Sequence, residues 1–85
     1  MGYHLKPIPK GKLGEFSKIQ EEYRELKDAI EQESPVLVLV ELSDLLGAIE
    51  AYSISKHGIT IQQLLKMTKS TSEAFAEGRR KNSES

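Results

Sequence analysis

Glu41 and Asp44 stand in the middle of the most apolar stretch of the chain. Around them run Val36, Leu37, Val38, Leu39, Val40, Leu42, Leu45, Leu46, Ala48, Ile49, Ala51 and Tyr52. On a helix these side chains point nearly all round the axis, the mark of a buried helix. Glu41 and Asp44 are i and i+3, so they share one face with Leu37 and Ala48. A buried carboxylate has to be neutralised, paired or bound to metal. Two like charges at this spacing repel, and a shared cation is the simplest resolution. Ion pairs to Lys or Arg of another helix are the structural alternative.

Glu22 and Glu25 repeat the i, i+3 spacing earlier in the chain. At about 100° per residue, Glu22 borders an apolar stripe, Glu25 lies further round, and Glu21 points almost opposite the stripe. Acids so placed are common on a solvated helix face. Set against Glu41 and Asp44 across an antiparallel contact, they complete four carboxylates with open positions for water. That is a hard oxygen site, suited to Mg²⁺ and also to Mn²⁺.

The elements that must position these acids are helices. Phe16, Ile19, Tyr23, Leu26 and Ile30 recur at 3-4 spacing and predict a first helix over about 12–33. Ser34-Pro35 is a start signal, with Ser as N-cap and Pro at the first helical position. The second helix should run from Pro35 to about Lys56 and end at His57-Gly58. The short connection makes the two helices antiparallel neighbours. Thr60 and Gln63 have capping-box spacing and open a third helix, with Ile61, Leu64, Leu65, Thr68, Ser72 and Phe75 on its inner face, fading near Gly78. The expected organisation is an N-terminal arm over 1–11, an all-α three-helix domain over 12–78 and a polar tail over 79–85.

Composition narrows the function classes. The chain has 85 residues, room for one small domain that buries only about 60–65% of its unfolded surface. With no Cys, disulfide scaffolds and Cys-ligated zinc are excluded. The longest unbroken apolar run, Val36 to Val40, is far short of a membrane span, and the N-terminus has no long apolar leader core. A cytoplasmic protein without membrane contact is the expectation. The net charge of −1 hides a strong pattern. Residues 1–14 carry three Lys and no acid, residues 15–50 carry ten acids against three bases, and residues 51–85 carry six bases against three acids. An acidic centre repels nucleic-acid phosphate, so no nucleic-acid partner is expected. The same centre can hold a cation.

Glu21-Glu22-Tyr23-Arg24-Glu25 spells EExxE, and Glu41-Leu42-Ser43-Asp44 spells ExxD. Together they resemble the MazG-like, all-α nucleoside triphosphate pyrophosphohydrolase superfamily. That group includes MazG, dCTP pyrophosphatases, dimeric dUTPases and phosphoribosyl-ATP pyrophosphohydrolase. Val40 to Leu46 is especially typical, and the resemblance spans about residues 13–70, in a compact form like those of phages and bacteria. It implies that Glu22, Glu25, Glu41 and Asp44 ligate Mg²⁺, and that Glu21 supports the site or positions the attacking water. It also implies cleavage between the α- and β-phosphates of a nucleoside triphosphate, giving a monophosphate and pyrophosphate. Family members bury the site between subunits of a helical dimer or a dimer of dimers, so a homodimer or homotetramer is expected. On the helix after the acids, Lys66 matches a phosphate-gripping lysine, Ser70 stands where Asn is common, and Lys69 or Arg79 can substitute. A non-catalytic helical interaction module is the competing reading, and phosphoribosyl-ATP hydrolysis a narrower one within the enzyme class.

Other residues carry less. His4 and His57 are far apart and show no metal spacing, and His57 suits a helix C-terminus. Tyr3, on the arm, is a candidate substrate contact, whereas Phe16 reads as core. Lys10-Gly11-Lys12-Leu13-Gly14 lacks the spacing of a phosphate-binding loop. Arg79-Arg80-Lys81 reads as a solvated charge run.

Overall fold

The computed structural model describes residues 4–76, with side chains as far as residue 70. Within that range the protein is all-α, with α1 at Phe16–Glu31, α2 at Pro35–His57 and α3 at Ile61–Ala76. Tyr3 and the tail over 79–85 lie outside the described residues.

Most of the local signals act as read. Ser34 Oγ accepts a hydrogen bond from the Leu37 N–H at 3.3 Å, with Pro35 at the start of α2. Gly58 closes α2 in the left-handed conformation at φ 69°, behind Lys56 and His57 in the basic last turn. The capping box of α3 is reciprocal. The Thr60 N–H donates to Gln63 Oε1 at 2.8 Å, and the Gln63 N–H donates to Thr60 Oγ1 at 3.2 Å.

α1 is shorter than its apolar pattern. A turn closed by the Glu15 N–H on the Lys12 carbonyl occupies the expected first residues, so the helix begins at Phe16. At the other end Glu33 takes a left-handed φ of 57°, which terminates the helix and turns the chain toward Ser34.

α1 and α2 form an antiparallel hairpin, and α3 makes no comparable contact with either. The Cα radius of gyration, 15.6 Å, accordingly exceeds the roughly 12 Å of a compact domain this long. The inner face expected for α3 is therefore only partly covered where described: Leu65 and Thr68 are exposed and Ile61 and Leu64 half-buried.

The hairpin buries the opposite kind of residue from the one its pattern predicts. On α1 the buried positions are Glu21, Glu22, Asp28 and Ala29, while Phe16, Tyr23 and Ile30 of the apolar stripe are more than half exposed. The two sets are centred roughly 140° apart on the helix. On α2 only Glu41, Ala48 and Ser53 are buried, and Val36, Leu39, Leu46 and Ile54 stay exposed. One neighbouring helix covers only one face of α2, and the covered face is the acidic one. The expectation of a wholly buried second helix is not met within a single chain.

Candidate functional site

Glu41 is the most buried large residue described, with no solvent exposure. Antiparallel packing brings it from α2 against the acids of α1. Glu22, Glu25, Glu41 and Asp44 each offer a carboxylate oxygen, and these four oxygens all lie within 4.8 Å of one another. The two sequence pairs therefore meet as one cluster. It is graded in depth: Glu41 and Glu22 are buried, Glu25 is half-buried and Asp44 is exposed at the rim.

Glu22 Oε1 and Glu41 Oε1 are buried without a hydrogen-bond partner. Orphaned buried oxygens are costly, and more so when charged. Burial pushes the Glu25 carboxyl up to about 7, helped by the charges of Glu22 and Glu41. Crowded, partly unsatisfied carboxylates are what a divalent cation would relieve, so the donor set fits such an ion.

Lys18 is the cation α1 supplies. Its Nζ lies 3.0 Å from Glu22 Oε2 and 3.1 Å from Glu21 Oε1. Hydrogen bonding to Glu22 raises the Lys18 pKa against the cost of burial. No Lys or Arg reaches Glu41 among the described residues. The ion-pair partner expected there is replaced by a residue that the sequence reading set aside. His4 Nε2 lies 2.9 Å from Glu41 Oε2 and 3.7 Å from Glu25 Oε1, and His4 Nδ1 lies 2.9 Å from Asp28 Oδ2. His4 is nine-tenths buried. Burial disfavours its charge, yet Asp28, Glu41 and Glu25 outweigh burial and raise its pKa. His4 therefore sits in the acid cluster, contrary to the expectation from its spacing.

The arm carries His4 there by running antiparallel to α1. The Leu5 N–H donates to Asp28 Oδ2 at 3.2 Å and the Gly11 N–H to Glu21 Oε1 at 2.8 Å. Gly11 passes so close to α1 that a Cβ would stand 2.2 Å from the Ser17 carbonyl oxygen, so only glycine fits. Glu21 is buried beneath this arm rather than solvated opposite the stripe, and Gly11 and Lys18 outweigh burial to lower its pKa. Its described hydrogen bonds hold the arm and Lys18, and it is not one of the four clustered acids.

The rim opens into a groove of about 670 Å³ whose walls include Lys18, Glu22, Asp44, Gly47 and Ile54. Gly47 has nothing within 4 Å of where a Cβ would stand, which leaves that wall open. Lys66 and Lys69 lie on exposed turns of α3, and no described contact brings them to the acids. His4, Asp28, Lys18 and Gly11 are the site residues that sequence reasoning missed. Asp28 had a readable signal, since Glu21, Glu25 and Asp28 form an i, i+4, i+7 ladder. His4 had none, being 24 and 37 residues from its partners.

No helix among the described residues is long and apolar enough to cross a membrane. No family model, curated protein or solved structure matches the chain.

Proposed function

We propose that this protein is a Mg²⁺-dependent nucleoside triphosphate pyrophosphohydrolase, acting on deoxynucleotides and cleaving between the α- and β-phosphates. The observation that carries the reading is the cluster of Glu22, Glu25, Glu41 and Asp44, with two buried oxygens left unsatisfied. These four residues would hold Mg²⁺, or Mn²⁺ in its place. A bound divalent ion supplies charge neutralisation for phosphate oxygens and a lowered pKa for water. The protein's own part is positioning and proton transfer. The groove beside Asp44 admits the triphosphate, and Lys18 on its wall offers a positive charge to it. The water oxygen bonds to phosphorus, the bridging oxygen leaves with the other product, and the proton passes to Glu22. Glu21 acts through the arm and Lys18, as a positioning residue. In this reading Lys66, Lys69 and Tyr3 are the further substrate contacts, and the protein works as a homodimer or homotetramer.

The test is a panel of ribo- and deoxynucleoside triphosphates and phosphoribosyl-ATP, with and without Mg²⁺, read as monophosphate and pyrophosphate. Turnover of at least one substrate, abolished by Glu41→Gln, is expected. No turnover on any of them, with metal present and the fold intact, overturns the reading. One observation favours a second reading, a non-catalytic helical interaction module: the uncovered apolar faces of α1 and α2. That module would self-associate through those faces and show no hydrolysis.

A further inference from the structure

Two sets of potential ligands overlap in the hairpin. Beside the four carboxylates, His4 Nε2 lies with carboxylate oxygens of Glu25 and Glu41, all within 4.8 Å. The two sets share Glu25 and Glu41 but differ in chemistry. The first is all oxygen. The second contains a nitrogen, delivered by the arm from far away in sequence.

The other face of the imidazole decides what Nε2 can do. Nδ1 lies 2.9 Å from Asp28 Oδ2, and a carboxylate oxygen accepts, so Nδ1 carries a proton. Asp28 is itself oriented by the Leu5 N–H and by Gln32 Nε2 at 2.8 Å. Its carboxylate is held ionised by the hydrogen bond from His4 foremost, against the effect of burial. A carboxylate bonded to one ring nitrogen while the other points at acidic ligands is the arrangement that orients metal-binding histidines. The separation suits ligation too. Two ligands about 2.1 Å from one ion at a right angle stand about 3.0 Å apart, and His4 Nε2 and Glu41 Oε2 stand 2.9 Å apart. Glu41, wholly buried with Oε1 unpartnered, has a second oxygen to give the neighbouring carboxylate set.

We infer that His4 Nε2 is a metal ligand, forming with Glu25 and Glu41 a nitrogen-bearing cation position beside the all-carboxylate one. Imidazole shifts the preference of this position from Mg²⁺ toward Mn²⁺ and the later divalent transition metals. In the absence of metal the same ring bridges Glu41 and Asp28, with Nε2 2.9 Å from Glu41 Oε2 and Nδ1 2.9 Å from Asp28 Oδ2. A cation at Nε2 replaces the contact between His4 and Glu41, and Asp28 keeps the ring in place. The arm thereby links occupancy of the site to its own docking on α1. This inference rests on the carboxylate cluster being a metal centre.

The test uses the full chain and Mn²⁺ alone. Pulsed electron paramagnetic resonance of the Mn²⁺-loaded protein should show coupling to one imidazole ¹⁴N, lost in His4→Gln and retained in His57→Gln. By calorimetry, His4→Gln should weaken Mn²⁺ at the tighter position at least tenfold and change Mg²⁺ affinity less than threefold. Asp28→Asn should keep the nitrogen coupling and weaken Mn²⁺ about tenfold or more. Bound Mn²⁺ without nitrogen coupling, or tighter Mn²⁺ binding in His4→Gln, overturns the role of His4 and leaves the carboxylate centre standing. Absence of Mn²⁺ binding altogether overturns both.

Discussion

Glu25 is held beside Glu22 between the helices and the arm, and burial together with the Glu22 charge pushes its carboxyl up to about 7. The folded protein therefore keeps a proton there that the unfolded chain has released above its ordinary value of 4.5. A group whose folded pKa is raised contributes stability that is complete below the unfolded pKa and lost as pH climbs to the folded one. His4 adds a loss of the same sign at higher pH, above its ordinary value of 6.5, since its pKa is also raised. The metal-free protein should lose stability steadily between about pH 4.5 and 7. Glu21 and Asp28, whose pKa values are lowered, add the opposite loss only as pH falls below the ordinary carboxylate range. Urea unfolding in EDTA at pH 5, 6, 7 and 8 measures the slope. Glu25→Gln should flatten it and stabilise the metal-free protein at pH 8. A slope unchanged by Glu25→Gln would show that the repulsion lies elsewhere.

A cation that satisfies Glu22 Oε1 and Glu41 Oε1 acts only on the folded state. At a hundredfold excess over its Kd, such a ligand adds about 2.7 kcal/mol. In a domain of this size that is an increase in Tm of roughly 10–20 °C. MgCl₂ and MnCl₂ should each produce it in a thermal melt, and NaCl of equal ionic strength should not. Glu41→Gln removes a central ligand while preserving volume, and should abolish the increase. A Tm that responds to salt and divalent ions alike would make the acids an ordinary repulsive cluster.

The arm depends on a glycine for its path. A Cβ on Gly11 would overlap the Ser17 carbonyl oxygen at 2.2 Å, where backbone and not a flexible side chain must yield. Gly11→Ala should lift the arm, break the Gly11–Glu21 hydrogen bond and withdraw His4 from Glu41. Trypsin cleavage after Lys10 and Lys12 should quicken about tenfold, while helix content by circular dichroism stays within a few per cent. Glu21→Gln, which loses the charged acceptor but no space, should have a smaller effect in the same direction. Unchanged cleavage in both variants would separate the arm from Glu21.

The helices were legible because their signals are local. Ser34-Pro35, Gly58 and the Thr60–Gln63 box each act within four residues, and each forms as read. The pairing of Glu22 and Glu25 with Glu41 and Asp44 was legible because a short loop forces neighbouring helices together. Burial was misread for a physical reason. Periodicity shows which residues share a face, not which face the neighbour covers, so the stripe at Phe16, Tyr23 and Ile30 gave no warning that the acids would turn inward. His4 could not be found at all. Its role depends on an arm that folds back along α1, held by hydrogen bonds from Leu5, Lys6 and Gly11 and by a close approach to Ser17.

The inward turn of the acids leaves apolar surface outside, and that surface is continuous at the hairpin tip. Ile30 of α1 and Val38 and Leu39 of α2 line one shallow groove with Pro35. Leu39 and Val36 are 67% and 74% exposed, and Leu46 continues the uncovered side of α2. Monomers seldom leave a contiguous apolar area beyond a few hundred Å² open to water. A second copy pairing along α2 would cover it with like side chains, an isologous arrangement. Light scattering after size exclusion should give a mass of two or four times 9.5 kDa. Leu39→Glu and Leu46→Glu place a charge in that contact and should each shift the mass to the monomer, while Leu65→Glu on α3 should not. Because the acids lie on the opposite side of α2, the Leu39→Glu monomer should still bind Mn²⁺. Loss of association with metal binding retained would separate assembly from the metal centre. A wild-type protein that stays monomeric from roughly micromolar concentration upward would leave the apolar face without a second copy to cover it.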